Sequence, residues 1–354
     1  MGKSQKDDVN FVFAGWKNSG NLDYVCCWFK KAAEYIEGTQ IRAALVSTNS
    51  ISQGEAIPNL WKPLFQMGVH MDFAHRTFRW DSEASIKAHV HCVIVGFSVA
   101  PSLKKRVIYT DGRPTIARNI NGYLLDADDV FVEGRKKPLC DVPEIGIGNK
   151  PIDGGFYLFS KEEMEEFLAK EPLAEKYFHP WYGTREFINR SPRYCLYLRD
   201  CSPTELRKLP ECMKRMEAVR NYRLESKSAG TRKLADTPTW FHVTNIPSGS
   251  YIVIPQVSSQ RRRYIPMGYM DDGVLCSDKV RIMQNGELYH LGVLTSNVHM
   301  AWMRTICCRL KSDYSYTVNN VYNSFPWPKP SLEQKVRIEK TAQAILDARS
   351  IDVF

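Results

Sequence analysis

The sequence predicts half of a doubly wound α/β sheet followed by a separate α+β domain. Two observations indicate the half sheet: residues 22–97 follow the order helix, strand, helix, strand, strand, and no glycine-rich turn from a strand into a helix precedes them. A third observation, the capping boxes and short strand patterns after Phe156, indicates the second domain. We therefore expect the chain to begin within a domain.

The first helix and the first strand follow from apolar periodicity. Residues 22–36 place apolar side chains at helical spacing, and Gly38 ends that pattern as a helix stop. Residues 41–47 form a nearly continuous apolar run, which is typical of a strand that helices bury on both faces. Because no strand is predicted before it, we expect this strand to leave one apolar edge unpaired.

One more helix and two strands complete the half sheet. Residues 51–65 fit a helix, although Pro58 and Pro63 limit where it can be regular. Residues 69–74 and 89–97 fit strands, and the short connection before the second favours an antiparallel return.

The remaining chain predicts a connector and a mixed domain. Residues 101–155 carry scattered Gly, Pro, Asp and Asn, which favours little regular structure. Ser160 and Ser202 each open a capping box, so helices are expected over 161–170 and 206–223. Further helices are predicted at 298–309 and 332–349, and strands at 194–198, 240–243, 251–255, 263–267 and 288–294. The predicted divisions are the half-sheet domain at 1–100, the connector at 101–155, the mixed α+β domain at 156–330 and the C-terminal helix at 331–354.

Composition argues against a membrane protein and against a metal site. The chain has 354 residues, of which 44% are hydrophobic and 12% aromatic, enough for about two domains with real cores. It has no apolar run long enough to cross a bilayer and its first residues are polar, so we expect a cytoplasmic protein. The ten cysteines lack the paired spacing of metal ligands, and no carboxylate or cysteine completes a ligand set with His89 and His91. Reduced core cysteines are favoured.

Positive charge is concentrated in one part of the chain. The net charge is +9, and residues 214–263 contain ten Lys or Arg against three acids, with aromatic residues interleaved. Such a stretch suits a polyanion, although a solvated basic face gives the same pattern. A second basic cluster at Arg304, Arg309 and Lys311 favours nucleic acid.

Four separated blocks carry a resemblance to a known family. They are IRAALVSTNSISQG at 41–54, HRTFRW at 75–80, TRKLADTP at 231–238 and YNSFPWP at 322–328. In this order they resemble the C-terminal part of MmeI-like adenine-specific DNA methyltransferases, single-chain restriction-modification proteins. The resemblance spans residues 22–349. It implies a partial, Rossmann-like α/β methyltransferase sheet followed by an α+β target recognition domain.

The family's chemistry requires residues that this sequence does not show. The catalytic motif Asn-Pro-Pro followed by Phe or Tyr would precede these residues, as would the glycine-rich S-adenosylmethionine loop, and no Asn-Pro-Pro occurs. The resemblance therefore implies no catalytic residue in this chain, and no methyl transfer by the chain alone. S-adenosylmethionine is the cofactor of the complete enzyme, and Asp23 and Tyr24 correspond to a segment that borders its pocket. Helix capping and core packing are the alternative role for both residues.

The resemblance also implies where a base and duplex DNA would bind. Residues 47–49 are expected at the carboxyl edge of the sheet, where open α/β folds place ligands. Phe78, in the loop expected after the strand at 69–74, corresponds to the aromatic residue that stacks on a flipped adenine; ordinary packing with Trp80 is the alternative. The DNA-facing candidates are Lys227, Arg232, Lys233, Arg261, Arg262, Arg263, Lys311 and Tyr314.

Three functions remain open from the sequence. The first is the C-terminal half of a DNA adenine methyltransferase that retains target recognition. The second is a non-catalytic DNA-binding specificity protein that docks on a separate, N-terminal methyltransferase chain. The third is a protein that binds RNA or other polyanions without sequence selectivity.

Overall fold

The computed structural model describes residues 1–81, 89–100 and 105–351, and these form two compact units. The first unit contains residues 1–140, 259–261 and 301–326, and the second contains 141–258, 262–300 and 327–354. Residues 301–326 therefore pack with the N-terminal residues, although their position in the sequence predicts that they belong to the second domain. The start of the predicted connector, 101–104, and the end of the predicted C-terminal region, 352–354, lie outside the described residues.

The helices and strands have the following bounds. The α-helices are α1 Lys3–Val12, α2 Cys26–Ile36, α3 Lys62–Gln66, α4 Lys161–Lys170, α5 Thr184–Asn189, α6 Pro203–Leu206, α7 Pro210–Leu224, α8 Ala229–Lys233, α9 Leu288–Leu294, α10 Asn297–Ile306 and α11 Leu332–Ile351. The strands are β1 Ala43–Thr48, β2 His70–Asp81, β3 His89–Ser98, β4 Arg106–Thr110, β5 Arg113–Ala117, β6 Ile145–Ile147, β7 Leu158–Phe159, β8 Phe178–Tyr182, β9 Arg193–Leu196, β10 Tyr251–Pro255, β11 Val257–Ser258, β12 Gly268–Met270, β13 Leu275–Cys276, β14 Val280–Met283, β15 Cys308–Leu310 and β16 Asp313–Ser315.

The first unit is built on a five-stranded sheet in the order β1-β3-β2-β4-β5. Strands β2 and β3 are antiparallel, which confirms the predicted return, and β2 pairs with β4 in parallel. Residues 106–117 were expected to be irregular, and this prediction is wrong. They form the hairpin β4–β5, whose turn places Asp111 and Gly112 at φ 50° and 77°.

Strand β1 is an edge strand with one buried face, so the prediction of burial on both faces is wrong. Its side chains alternate in exposure, and the outward-facing Val46 is 52% exposed. Helical residues of the unit pack against the opposite face, where Phe29 of α2 lies 5.9 Å from Phe97 and 5.5 Å from Trp61 between ring centroids. In the sheet, β1 pairs with β3 alone, so its other edge is open among the described residues.

One close contact fixes the outward face of the central strands. Gly96 of β3 pairs with Phe73 of β2, and a Cβ built on Gly96 would lie 2.1 Å from the Phe73 ring. Only glycine leaves room for that ring. The sheet therefore depends on a residue that strand propensity disfavours.

The second unit contains two four-stranded sheets, β12-β10-β14-β6 and β13-β8-β9-β7. Strand β10 is buried along its whole length and matches its prediction. Both capping boxes are present, with the Ser160 and Ser202 hydroxyls accepting from backbone N–H groups at α4 and α6. The predicted strand at 194–198 corresponds to β9, and the predicted helix at 332–349 to α11.

Three strand predictions in this unit are wrong. Residues 288–294 form helix α9, in which Tyr289, Leu291 and Leu294 are buried. A short apolar run of this kind does not distinguish a buried strand from a buried helix. Residues 263–267 are irregular and the strand β12 follows them, while in 240–243 only a single bridge, between Val243 and Lys150, is present.

Helix α7 carries a fully buried arginine in its last turn. Arg223 is 0% exposed, and its guanidinium donates to five backbone carbonyls. The acceptors are Pro151, Ile152, Leu234, Thr237 and Trp240. A single side chain thus ties α7 to the segment before β7 and to the segment 234–240.

Candidate functional site

Phe78 lies within a strand, so its predicted position in a loop is wrong. Strand β2 continues to Asp81, beyond the predicted end at 74, and Phe78 pairs with Cys92 of β3. The register shifts between His75 and Phe78, so Arg76 and Thr77 bulge out of the ladder. The Phe78 ring lies 6.2 Å from the ring of Trp80.

A cavity of about 730 Å³ opens at this bulge. We call it the Phe78 cavity; its lining includes Asn49, Phe78, Asp111 and the arginines Arg76, Arg79, Arg261 and Arg309. The described residues that line it include four arginines and one carboxylate, so the lining carries a net positive charge. The cavity combines an aromatic ring with a positive rim, which suits a planar group attached to an anion.

Asn49, the residue that follows β1, also lines the Phe78 cavity. Its side chain is buried, and its Nδ2 donates to Thr77 Oγ1 at 3.5 Å. Residues 47–49 were expected at a ligand-binding edge, and Asn49 does line the cavity.

Arg309 is held in place by three contacts. Its backbone N–H donates to Gln53 Oε1 at 3.1 Å, and its Nη1 donates to the Ser312 carbonyl at 3.0 Å. Its guanidinium lies 4.4 Å from the centre of the Tyr314 ring, which is buried. The side chain therefore enters the cavity already oriented.

A second cavity of about 270 Å³ shares Arg76, Thr77 and Arg309 with the first. We call it the Tyr123 cavity; it is also lined by Gln53, Tyr123, Arg304 and Thr305. The Tyr123 hydroxyl is buried. Burial raises the pKa of Tyr123 to about 12, and a hydrogen bond with the Val132 backbone opposes part of this rise.

The two cofactor candidates precede helix α2 instead of lying within it. The Tyr24 hydroxyl donates to Asp8 Oδ2 at 2.9 Å, and this hydrogen bond is the main cause that raises the pKa of Tyr24. The Tyr24 ring packs on Trp28 at 5.0 Å. Asp23 is exposed, and its carbonyl accepts from the Cys26 N–H at 2.9 Å. The exposed Asp23 carboxylate suits a contact with a polar ligand, whereas the Tyr24 hydroxyl already donates its hydrogen bond to Asp8.

The predicted DNA-facing residues are divided between the two units. Lys227, Arg232, Lys233, Arg262 and Arg263 belong to the second unit and are all exposed. Arg232 Nη1 donates to the Ser226 carbonyl at 2.7 Å, which fixes its direction, and Arg263 lies 5.4 Å from the Tyr264 ring centre.

The other three candidates belong to the first unit. Arg261 lines the Phe78 cavity, and Lys311 is exposed in a left-handed turn at φ 60°. Tyr314 is 7% exposed under Arg309, so its ring supports an arginine and offers little surface to a base.

Sequence reasoning did not assign Arg76, Arg79 or Tyr123 to a site. The first two flank Phe78 in HRTFRW, so a signal for them was present in the block that carried the resemblance. Tyr123 lies in the predicted connector, and no sequence signal distinguished it.

The described part of the chain contains neither a metal-binding cluster nor a membrane-spanning helix. No group of three or more His, Cys, Asp or Glu side chains within residues 1–81, 89–100 and 105–351 is placed to hold a metal ion. No helix there combines the length and apolar character needed to cross a membrane.

Two family models match the sequence. The MmeI target recognition domain matches residues 126–329, and the MmeI DNA-methyltransferase domain matches residues 1–110. The chain belongs to the MmeI family. Its fold is the expected α/β methyltransferase sheet followed by an α+β target recognition domain, so the predicted fold class and family are confirmed.

Two similar proteins are longer than this chain. The chain is 38% identical over 347 residues to DNA methyltransferase A of Bacillus subtilis (strain 168), covering 98% of this chain and 40% of that protein. It is 41% identical to the type IIL restriction-modification enzyme MmeI solved in complex with DNA, with a TM-score of 0.95, covering 100% of this chain and 48% of that one. The chain therefore spans less than half the length of either relative.

Proposed function

We propose that this chain is the target-recognition part of a site-specific DNA adenine methyltransferase, together with the second half of its methyltransferase sheet. The observation that carries the proposal is the Phe78 cavity, in which an aromatic ring lies among four arginines in a chain of the MmeI family. The relative solved in complex with DNA supports DNA as the ligand.

Phe78 is the proposed stacking surface for an extruded adenine. Extruding a base costs a few kcal/mol, and stacking on an aromatic side chain recovers about 1–3 kcal/mol per base. Phe78 is partly exposed and lines the cavity, which supports this role. Asn49, at the cavity wall, is placed to hydrogen-bond a base edge, because its amide offers both a donor and an acceptor.

The exposed basic residues of the second unit are the proposed DNA-reading surface. Lys227, Lys233, Arg262 and Arg263 would contact phosphates or base edges, and the fixed direction of Arg232 suits a specific contact. In the first unit, Arg261 and Lys311 would bind phosphates, and Tyr314 would act by supporting Arg309.

S-adenosylmethionine is the proposed methyl donor of the complete enzyme. The exposed carboxylate of Asp23 fits a contact to such a ligand, while the Tyr24 hydroxyl donates to Asp8. The sequence contains no Asn-Pro-Pro, the motif whose amide and carbonyl oxygens accept hydrogen bonds from the adenine amino group in this family. We propose that methyl transfer requires residues that this chain does not supply.

The open edge of β1 favours a second candidate, in which the same DNA-binding chain docks on a separate methyltransferase half. An edge strand with unpaired N–H and C=O groups accepts a further strand, and the exposed Val46 adds apolar surface beside it. Mixing the chain with a candidate N-terminal half and assaying methyl transfer into duplex DNA distinguishes this candidate from a chain that acts only within one polypeptide.

Selection from a random duplex pool tests DNA recognition. The bound sequence is then synthesised with 2-aminopurine at each adenine in turn, since the fluorescence of this base rises when it leaves the stack. We expect a rise at one adenine, with Phe78→Ala losing about tenfold or more in affinity, from the stacking energy. Phe11→Ala is the matched control, since Phe11 is 82% exposed on α1 and outside the cavity.

Two results would contradict the proposal. Recovery of no preferred duplex sequence, with equal binding of RNA, would favour a general polyanion-binding protein. Equal loss in the Phe78→Ala and Phe11→Ala proteins would remove Phe78 from the site.

A further inference from the structure

The second unit contains a cavity of about 470 Å³, which shares no residue with the Phe78 cavity or the Tyr123 cavity. We call it the Arg349 cavity. Its walls are mainly apolar and aromatic, and they include Tyr182, Phe187, Met267, Tyr269, Met270 and Leu346. Its volume and lining are those of a small-molecule site, in which apolar walls surround a few polar groups.

Two arginines supply the polar groups of this cavity. Arg349 lies near the end of α11, and its Nη1 donates to the Met267 carbonyl. Arg190 follows α5, and its Nη2 donates to the Arg349 carbonyl. These contacts hold both side chains at the cavity. Because a guanidinium has five N–H donors, each arginine keeps donors that its carbonyl partner does not use.

The charges of the two arginines are not balanced by a carboxylate in the described part of the chain. The described residues that line the cavity include no Asp or Glu, and neither arginine forms an ion pair with a described residue. Burial lowers the pKa of Arg349, and the positive charge of Arg190 lowers it further. Like charges held close together destabilise each other, so an anion between the two guanidinium groups would be favourable.

We propose that the Arg349 cavity binds a small aromatic carboxylate. The ring of such a ligand would pack on Phe187, Tyr269 and Met267, since aromatic rings and thioethers make favourable contacts with an aromatic group. Its carboxylate would accept from Arg190 and Arg349, because the planar guanidinium fork matches carboxylate geometry. This inference goes beyond the proposed recognition of DNA and does not depend on it.

A matched pair of probes tests the need for the negative charge. 4-Benzoylbenzoate and 4-benzoylbenzamide have the same rings and differ only in carboxylate against amide. In calorimetric titration of the whole chain, we expect saturable binding of the acid at one site. The amide should bind about tenfold more weakly, the effect of losing one hydrogen bond to a charged group. Equal affinity for the two probes, or no saturable binding of the acid, would overturn the inference.

Three variants of the chain test the two arginines. Arg190→Gln and Arg349→Gln each remove one charge, and Arg207→Gln is the control, since Arg207 is exposed in the same unit and outside the cavity. We expect the first two to lower affinity for the acid about tenfold and to leave affinity for the amide little changed. The control should change neither affinity.

Folding of the variants is checked by thermal unfolding. Arg349→Gln also removes a hydrogen bond to Met267, whereas the Arg190 side chain is exposed. If Arg349→Gln does not fold, Arg190→Gln carries the test. A folded Arg190→Gln chain that binds the acid as tightly as the control would overturn the inference.

Irradiation locates the bound acid, because benzophenones react readily with methionine side chains. We expect the crosslink at Met267 or Met270, and a crosslink at a residue outside the cavity would overturn the inference. Displacement of the acid by the selected DNA duplex would assign the cavity to DNA binding and would also overturn it. A chain that binds the acid but no duplex would contradict the proposed function and leave this inference supported.

Discussion

Replacing Arg223 by methionine should strongly destabilise the second unit. The side chain is 0% exposed and donates to five backbone carbonyls, with distances from 2.7 to 3.0 Å. Hydrogen bonds from a charged group contribute about 1.5–3 kcal/mol each, while desolvation of the guanidinium offsets several kcal/mol of the total. We expect a net loss of about 3–5 kcal/mol, because five backbone carbonyls lose a donor, at about 1–3 kcal/mol for each group left unsatisfied, before the desolvation offset.

Urea unfolding followed by circular dichroism measures the effect of Arg223→Met. Arg220→Met is the matched control, since Arg220 is exposed on the same helix, and it should change the unfolding free energy by less than about 0.5 kcal/mol. Arg223→Lys should lie between the two, because an ammonium group has three donors for five carbonyls. An Arg223→Met protein within about 1 kcal/mol of the control would refute the assignment of these hydrogen bonds as a stabilising junction.

Two further predictions concern the core of each unit. Gly96→Ala places a methyl group 2.1 Å from the Phe73 ring and should cost about 1–3 kcal/mol in unfolding free energy, with Phe73→Leu restoring part of it; no change in urea midpoint would contradict this packing. Burial lowers the pKa of His299 to about 3, so stability should be complete above about pH 6.5, the value expected in the unfolded chain, and should fall by at most about 1.4 kcal/mol per pH unit as the pH drops toward 3. His299→Gln should flatten that fall and the exposed His242→Gln should not, as unfolding at several pH values will show.

Local signals predicted the elements that depend on local contacts. The capping box of Ser160 is seen as a hydrogen bond of 3.2 Å from the Glu163 N–H to the serine hydroxyl, three residues away. The run at 288–294 failed as a prediction because a short apolar segment has the same composition in a buried strand and a buried helix, and tertiary packing decides.

The candidate site depends on contacts that single-sequence periodicity cannot show. The block HRTFRW at 75–80 was enough to predict Phe78 as a site residue. The bulge at Arg76 and Thr77 depends on pairing with β3, which the sequence does not show. Arg309 reaches the site through a hydrogen bond to Gln53, 256 residues away in sequence. The burial of Tyr123 beside Arg76 and Arg309 depends on the fold, so it became visible only in the folded chain.

Photocrosslinking tests the central claim most directly. The duplex selected by the chain is prepared with 5-iodouracil in place of the adenine that leaves the stack, irradiated in the complex and analysed by mass spectrometry. We predict that the crosslink forms at Phe78. A crosslink of similar yield at a residue outside the Phe78 cavity, with DNA affinity intact, would contradict it.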